Sequence, residues 1–160
     1  MIPYIGTSND SKIFYLNHNS KIIGDLYYRS LQHAEVHLSS GQLFTFSNTE
    51  EWNSAIELKE NERTLLTTQL GWNGIEMEII GSQKRYLLKM RKYFSGPYFL
   101  LDESGQELFT VDIVFKWSKK DFKYTFNPAP YFDNLHNKEL ILFSAMHGIN
   151  YYLSILYSGN

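Results

Sequence analysis

Apolar and polar residues alternate along most of this chain in short runs separated by polar turns, the period of two that half-buried strands need. Lys12-Ile13-Phe14-Tyr15-Leu16 is followed by the turn Asn17-His18-Asn19-Ser20 and then by Lys21 to Tyr28. Ala34 to Leu38 ends at Ser39-Ser40-Gly41, and Gln42 to Phe46 pairs back with Phe44 and Phe46 on one face and Leu43 and Thr45 on the other. Trp52 to Leu58 and Arg63 to Leu70 flank the charged stretch 59–62. Asn73-Gly74 predicts a tight hairpin between Leu70-Gly71-Trp72 and Ile75 to Ile80, because both residues tolerate the positive φ such a turn demands. Lys84 to Tyr93, Pro97 to Leu101, Gln106 to Phe115 and Phe122 to Asn127 complete about eleven strands, with a polar turn at Asp102-Glu103-Ser104-Gly105. Met1 to Lys12 has no apolar run and is assigned no strand.

The C-terminal segment breaks this period. Lys138 to Tyr157 lacks proline and, at 100° per residue, points apolar side chains in nearly every direction. Asn134 or Asn137 is placed to cap it, with Glu139 near the positive end of the helix dipole. A helix apolar all round is surrounded either by protein or by lipid. Twenty residues span about 30 Å, enough to cross a bilayer, yet His147 and Asn150 would then lie mid-membrane. The favoured expectation is therefore a mainly β domain over residues 1–160: an antiparallel meander of about 11–12 strands (residues 12–127) closing into a barrel around a hydrophobic helix (138–157). A tail-anchored protein is the alternative.

Composition narrows the chemistry. With no cysteine, the chain has no disulfide framework, no Cys-ligated zinc or iron–sulfur cluster and no thiol catalysis. Tyr, Phe and Ile dominate while Ala occurs four times, which favours strand over helix. The net charge of −2 argues against a polybasic nucleic-acid binder. The start carries neither a basic, apolar secretory pattern nor a Gly for myristoylation, so a cytoplasmic location is expected.

A shift of 85 residues lays Tyr15 to Lys21 over Leu100 to Gln106, each copy reading as strand, four-residue polar turn and strand. Internal duplication and the generic likeness of hairpins both account for it. The meander, the turn Asp102-Glu103-Ser104-Gly105 before an apolar strand, the stretch from Tyr86-Leu87-Leu88-Lys89 to Leu108, and the apolar segment Glu139 to Leu156 together resemble the tubby C-terminal-like superfamily. That group includes tubby domains, phospholipid scramblases and plant LURP-one-related proteins. The resemblance implies a closed barrel of about a dozen strands with the C-terminal helix threaded through its centre. Tubby domains bind phosphoinositides through basic residues, and scramblases carry an Asp-rich calcium segment before the final helix. Here residues 126–137 offer one carboxylate, Asp133.

Residues 1–80 hold 5 Lys/Arg against 10 Asp/Glu, and residues 81–160 hold 10 against 7. Nine basic residues lie between 84 and 123: Lys84, Arg85, Lys89, Arg91, Lys92, Lys116, Lys119, Lys120 and Lys123. Arg85, Lys89 and Arg91 share one strand face with Leu87, opposite Tyr86, Leu88 and Met90. With Lys119 and Lys120 nearby and Trp117 at the edge, they would form a face for anionic lipid, each cation contributing about 1 kcal/mol. The competing reading is a solvated face that discourages edge aggregation.

Other constellations are weaker. His33, Glu35 and His37 share a strand face, but the two histidines are about 13 Å apart at strand rise, so no metal site is expected. His147 reads as a core histidine that, beside Ser144 and Tyr151, lines a small polar cavity. No nucleophile elbow, P-loop or dinucleotide glycine pattern is present, and Glu76 and Glu78 read as solvent-facing. The expected function is a non-enzymatic binding or scaffold module without cofactor, its partner an anionic phospholipid or a protein. A carrier of an apolar small molecule inside the barrel is the alternative.

Overall fold

The computed structural model describes residues 1–48, 55–71, 73–92 and 95–158, the side chains at 91, 92, 95, 96, 117 and 155–158 excepted. Twelve strands run in chain order: β1 (Tyr4–Ser8), β2 (Ile13–His18), β3 (Lys21–Ser30), β4 (His33–Leu38), β5 (Leu43–Asn48), β6 (Ala55–Glu60), β7 (Arg63–Gly71), β8 (Gly74–Ile79), β9 (Arg85–Lys92), β10 (Ser95–Leu101), β11 (Glu107–Lys116) and β12 (Asp121–Pro128). Each pairs antiparallel with the next, and β12 pairs with β1 from Tyr4↔Phe126 to Ser8↔Phe122, so the meander closes into a barrel. The helix α1 (Lys138–Ser158) follows a 3₁₀ turn at Phe132–Asn134.

The closing strand β1 is the one the hydrophobic pattern misses. Its alternation is intact, with Tyr4, Gly6 and Ser8 facing inward. Two of those three positions carry almost no apolar side chain. At Gly6 the reason is room: a Cβ there would sit 2.8 Å from Met146 Sδ of α1. Strand Trp52 to Leu58 is described from Ala55 onward, and Trp52 lies outside the described residues.

Turn chemistry sets the register elsewhere. Asn19 and Ser20 both have positive φ, 52° and 65°, and form a two-residue connection between His18 and Lys21. The β10–β11 connection is longer. There Asp102 Oδ1 accepts from the backbone N–H groups of Ser104 (2.9 Å) and Gln106 (2.9 Å). The two hairpins related by the 85-residue shift are thus built differently, and neither has the four-residue turn of the sequence reading. At β7–β8 Gly71 pairs with Gly74, so Gly74 stands in the strand ladder and not in the turn that Asn-Gly suggests. Gly74 (φ 148°) instead opens β8, where a Cβ would lie 2.7 Å from Leu88 O.

Inward side chains of the strands and nearly the whole of α1 form one core. Every residue from Leu140 to Asn150 is buried. Met146 abuts Gly6 of β1, His147 meets Tyr28 of β3 and Phe46 of β5, Gly148 lies against Thr68 of β7 and Ile75 of β8, and Asn150 meets Tyr124 of β12. Contacts to β1, β3, β5, β7, β8 and β12 encircle the helix, which explains why no face of it is polar. Among the described residues, no helix is long and apolar enough to cross a membrane.

The helix starts at the barrel end formed by turns 19–20, 39–42, 61–62, 80–84 and 102–106, here termed proximal. Asn137 (φ 63°) precedes it, and its carbonyl accepts the first helical hydrogen bond, from Ile141 N at 3.0 Å. Asp133, the single carboxylate before the helix, accepts a 2.6 Å bond from Tyr4 OH and so ties β1 to the helix approach. Burial, reinforced by that bond, pushes the Tyr4 phenol up. The helix leaves at the distal end, beside residues 9–12, 31–32 and 117–120.

Candidate functional site

Strand register divides the predicted basic residues between the two ends. Arg85 opens β9 at the proximal end, with Nε 3.6 Å from Glu78 Oε2 and its backbone N–H bonded to Glu103 Oε1 at 2.8 Å. Lys89 lies mid-wall opposite Phe99, half-buried, with its stem over Gly74. Arg91 is near the distal end of β9, and its side chain lies outside the described residues, as does that of Trp117. Lys119 and Lys120 occupy the β11–β12 turn at the distal end, where Lys120 takes the left-handed conformation (φ 54°) that reverses the chain. Arg85 to Lys92 already spans about 23 Å of strand, so Arg85 and the turn lysines do not converge.

What gathers at the distal end is a different set. Lys116 and Lys123 join Lys119 and Lys120, all four exposed. The pairs Lys116↔Asp121 and Val114↔Lys123 put these side chains on the outer face of one hairpin, with Val114 65% exposed among them. The signal for this cluster was the β11–β12 register, which residue spacing on β9 alone does not supply.

Beside that hairpin the barrel mouth holds a cavity of about 300 Å³. Its apolar wall comes from Phe14 of β2, Tyr28 of β3, Leu31, Phe122 of β12 and Leu153 of α1. Lys12 and Arg29 stand at its rim, and Arg29 is held by a 2.9 Å pair with Glu35 that keeps the Glu35 carboxyl below its usual range.

A buried polar chain forms the floor. Tyr124 OH donates to Asn150 Oδ1, Asn150 Nδ2 donates to Tyr28 OH at 3.0 Å, and Tyr28 OH lies 2.8 Å from His147 Nδ1. Since Tyr28 already accepts from Asn150, its own proton goes to His147 Nδ1, which makes the imidazole the Nε2–H tautomer. His147 stacks on Phe46 at 4.4 Å between ring centroids and is 1% exposed. Burial alone lowers its pKa to about 3, and burial likewise pushes the phenols of Tyr28 and Tyr124 up. The chain is fixed in its neutral form, an arrangement for rigidity and hydrogen bonding at neutral pH.

No family model, curated protein or solved structure matches this chain. The site therefore stands on its own geometry.

Of the remaining candidates, His37 and Tyr151 have polar partners. His37 lies between Asp25 (Nδ1–Oδ1 2.9 Å) and Glu35 (Nε2–Oε2 3.3 Å) on the outer face. Among the described residues, no three ligand-type side chains gather as a metal site. Tyr151 stands edge-on to His147 at 6.2 Å and accepts from Asn48 Nδ2 at 2.9 Å. Ser144 Oγ, buried one turn before His147, has no hydrogen-bond partner among the described residues.

Proposed function

We propose that this chain is a cytoplasmic, non-enzymatic binding module of the tubby-like kind, docking on anionic phospholipid through its distal end. The observation that carries this reading is the cluster of Lys116, Lys119, Lys120 and Lys123 around the exposed Val114 on one hairpin. Four cations at about 1 kcal/mol each, less about one for Asp121, leave roughly 3 kcal/mol. That corresponds to weak association, steeply dependent on salt. Kinship with the tubby-like group is supported by a twelve-stranded closed barrel around a C-terminal helix. A scaffold is favoured over a carrier with its cargo inside the barrel because α1 side chains occupy that interior.

Pelleting with phosphatidylserine-containing vesicles tests the reading. The native protein should pellet at about 25 mM salt and be released at about 300 mM, and K119E/K120E should abolish pelleting. Absence of pelleting at low salt, or no effect of the double reversal, would end it.

A further inference from the structure

The distal cavity has a composition that the membrane reading does not use. Phe14 (2% exposed), Phe122 (7%) and Leu153 (8%) are core residues that nonetheless line it, so its wall belongs to the packed barrel. At about 300 Å³ it matches the smallest ligand sites, room for a body of roughly a dozen non-hydrogen atoms. Its lining is largely aromatic and aliphatic. Ser11, Ser30, Asn150 and Ser154 add hydrogen-bonding groups to the same lining.

Charge then selects the head group. The two charged lining residues, Lys12 and Arg29, are both basic. Arg29 pairs with Glu35 through Nε, which offsets its charge, so Lys12 is the lining cation that adds net positive charge at the rim. The neighbouring Asp10 carboxylate is occupied by the backbone N–H groups of Lys12 (2.8 Å) and Ile13 (3.0 Å). One cation beside an apolar wall suits a monoanion. A phosphate dianion is disfavoured there, because Glu35 offsets the charge of Arg29.

We propose that the distal cavity binds a small amphiphilic monocarboxylate, its ring or short aliphatic body against Phe14, Phe122 and Leu153 and its carboxylate on Lys12. None of the four hairpin lysines lines it. Asn150 links it to the interior, because the side chain that lines the cavity is the same one that bonds Tyr28 and Tyr124.

Titration of the full chain with 3-phenylpropionate at about pH 7.5, followed by protein-observed NMR, tests this. A ligand of this size is expected to bind with a Kd on the order of 0.1–1 mM. The neutral 3-phenylpropanamide should bind at least about fivefold more weakly. Lys12→Glu, an exposed substitution, should weaken the acid by about tenfold or more and leave the amide unchanged. K119E/K120E should bind the acid as the native protein does, which separates this site from lipid docking. The proposal is overturned if 3-phenylpropionate at about 5 mM shifts no resonance, if acid and amide bind equally, if Lys12→Glu has no effect, or if K119E/K120E abolishes binding.

Discussion

Acid should destabilise this protein in a pH range where carboxylates contribute little, and a single side chain is responsible. His147 is buried against Phe46 with Nδ1 accepting from Tyr28, and its pKa is lowered to about 3. In the unfolded chain an imidazole titrates near about 6.5. The folded pKa is depressed, so this contribution to stability is fully present above about pH 6.5. It shrinks as pH falls, because the unfolded state takes up the proton first, and it is exhausted near about pH 3. Between about pH 7.5 and 5.0 the linkage amounts to about 2 kcal/mol. With a urea m-value of roughly 2 kcal/mol/M for a chain of this size, the midpoint should drop by about 1 M. Asp10 and Asp102, lowered chiefly by hydrogen bonds to a backbone N–H and to Ser104, and Glu35, lowered by Arg29, lose their contributions only below the usual carboxylate range. The control is His147→Asn, whose Oδ1 can accept from Tyr28 in place of Nδ1. It should be less stable at both pH values through loss of the Phe46 stack, and its midpoint should fall far less between them. If native and His147→Asn proteins lose the same stability over that pH interval, the imidazole is not buried neutral and the reasoning fails.

Two further outcomes follow from the packing. A chain ending at Asn134 should lose cooperative thermal unfolding and near-UV circular dichroism, since removal of α1 empties the barrel of the residues that its inner wall packs on; a cooperative transition in that truncation would show that the wall packs without the helix. Gly74→Ala should cost about 2 kcal/mol or more by urea unfolding, because φ is 148° and the new Cβ would meet Leu88 O at 2.7 Å; a loss under about 0.5 kcal/mol would mean that β8 and β9 separate readily there.

The barrel was legible in the sequence wherever inward positions carry large apolar residues. Phe44 and Phe46, or Tyr124 and Phe126, announce their strands by alternation alone. β1 was not legible, because its inward Gly6 leaves room for the helix and its inward Ser8 bonds the following turn, so neither carries an apolar side chain. Gly74 was assigned to the turn and stands in β8 for a related reason: it answers a close backbone approach across the sheet, a contact local chemistry does not encode. The nearly continuous hydrophobic circumference of α1 left protein or lipid as its surround, and His147 and Asn150 favoured protein. The proposed docking surface was readable only in part. Lys119 and Lys120 lie in it, while Arg85 belongs to the other end beside Glu78 and Glu103. Which cations meet depends on how far β9 and β11 run before turning, and that is a property of the closed ring.

The seam between β1 and β12 constrains the order of folding. The first strand of the chain cannot complete its pairing until the last one exists, and the space inside both is shaped for a helix that comes later still. During synthesis, β1 waits with one edge unpaired while well over a hundred residues emerge. Contacts of such long separation in sequence are slow to form. The final assembly step must bring together the two edges and the helix, because a ring closed early would have to reopen to admit it. The Tyr4–Asp133 hydrogen bond lies where those three parts meet, and serves as the clasp that holds them once they have closed.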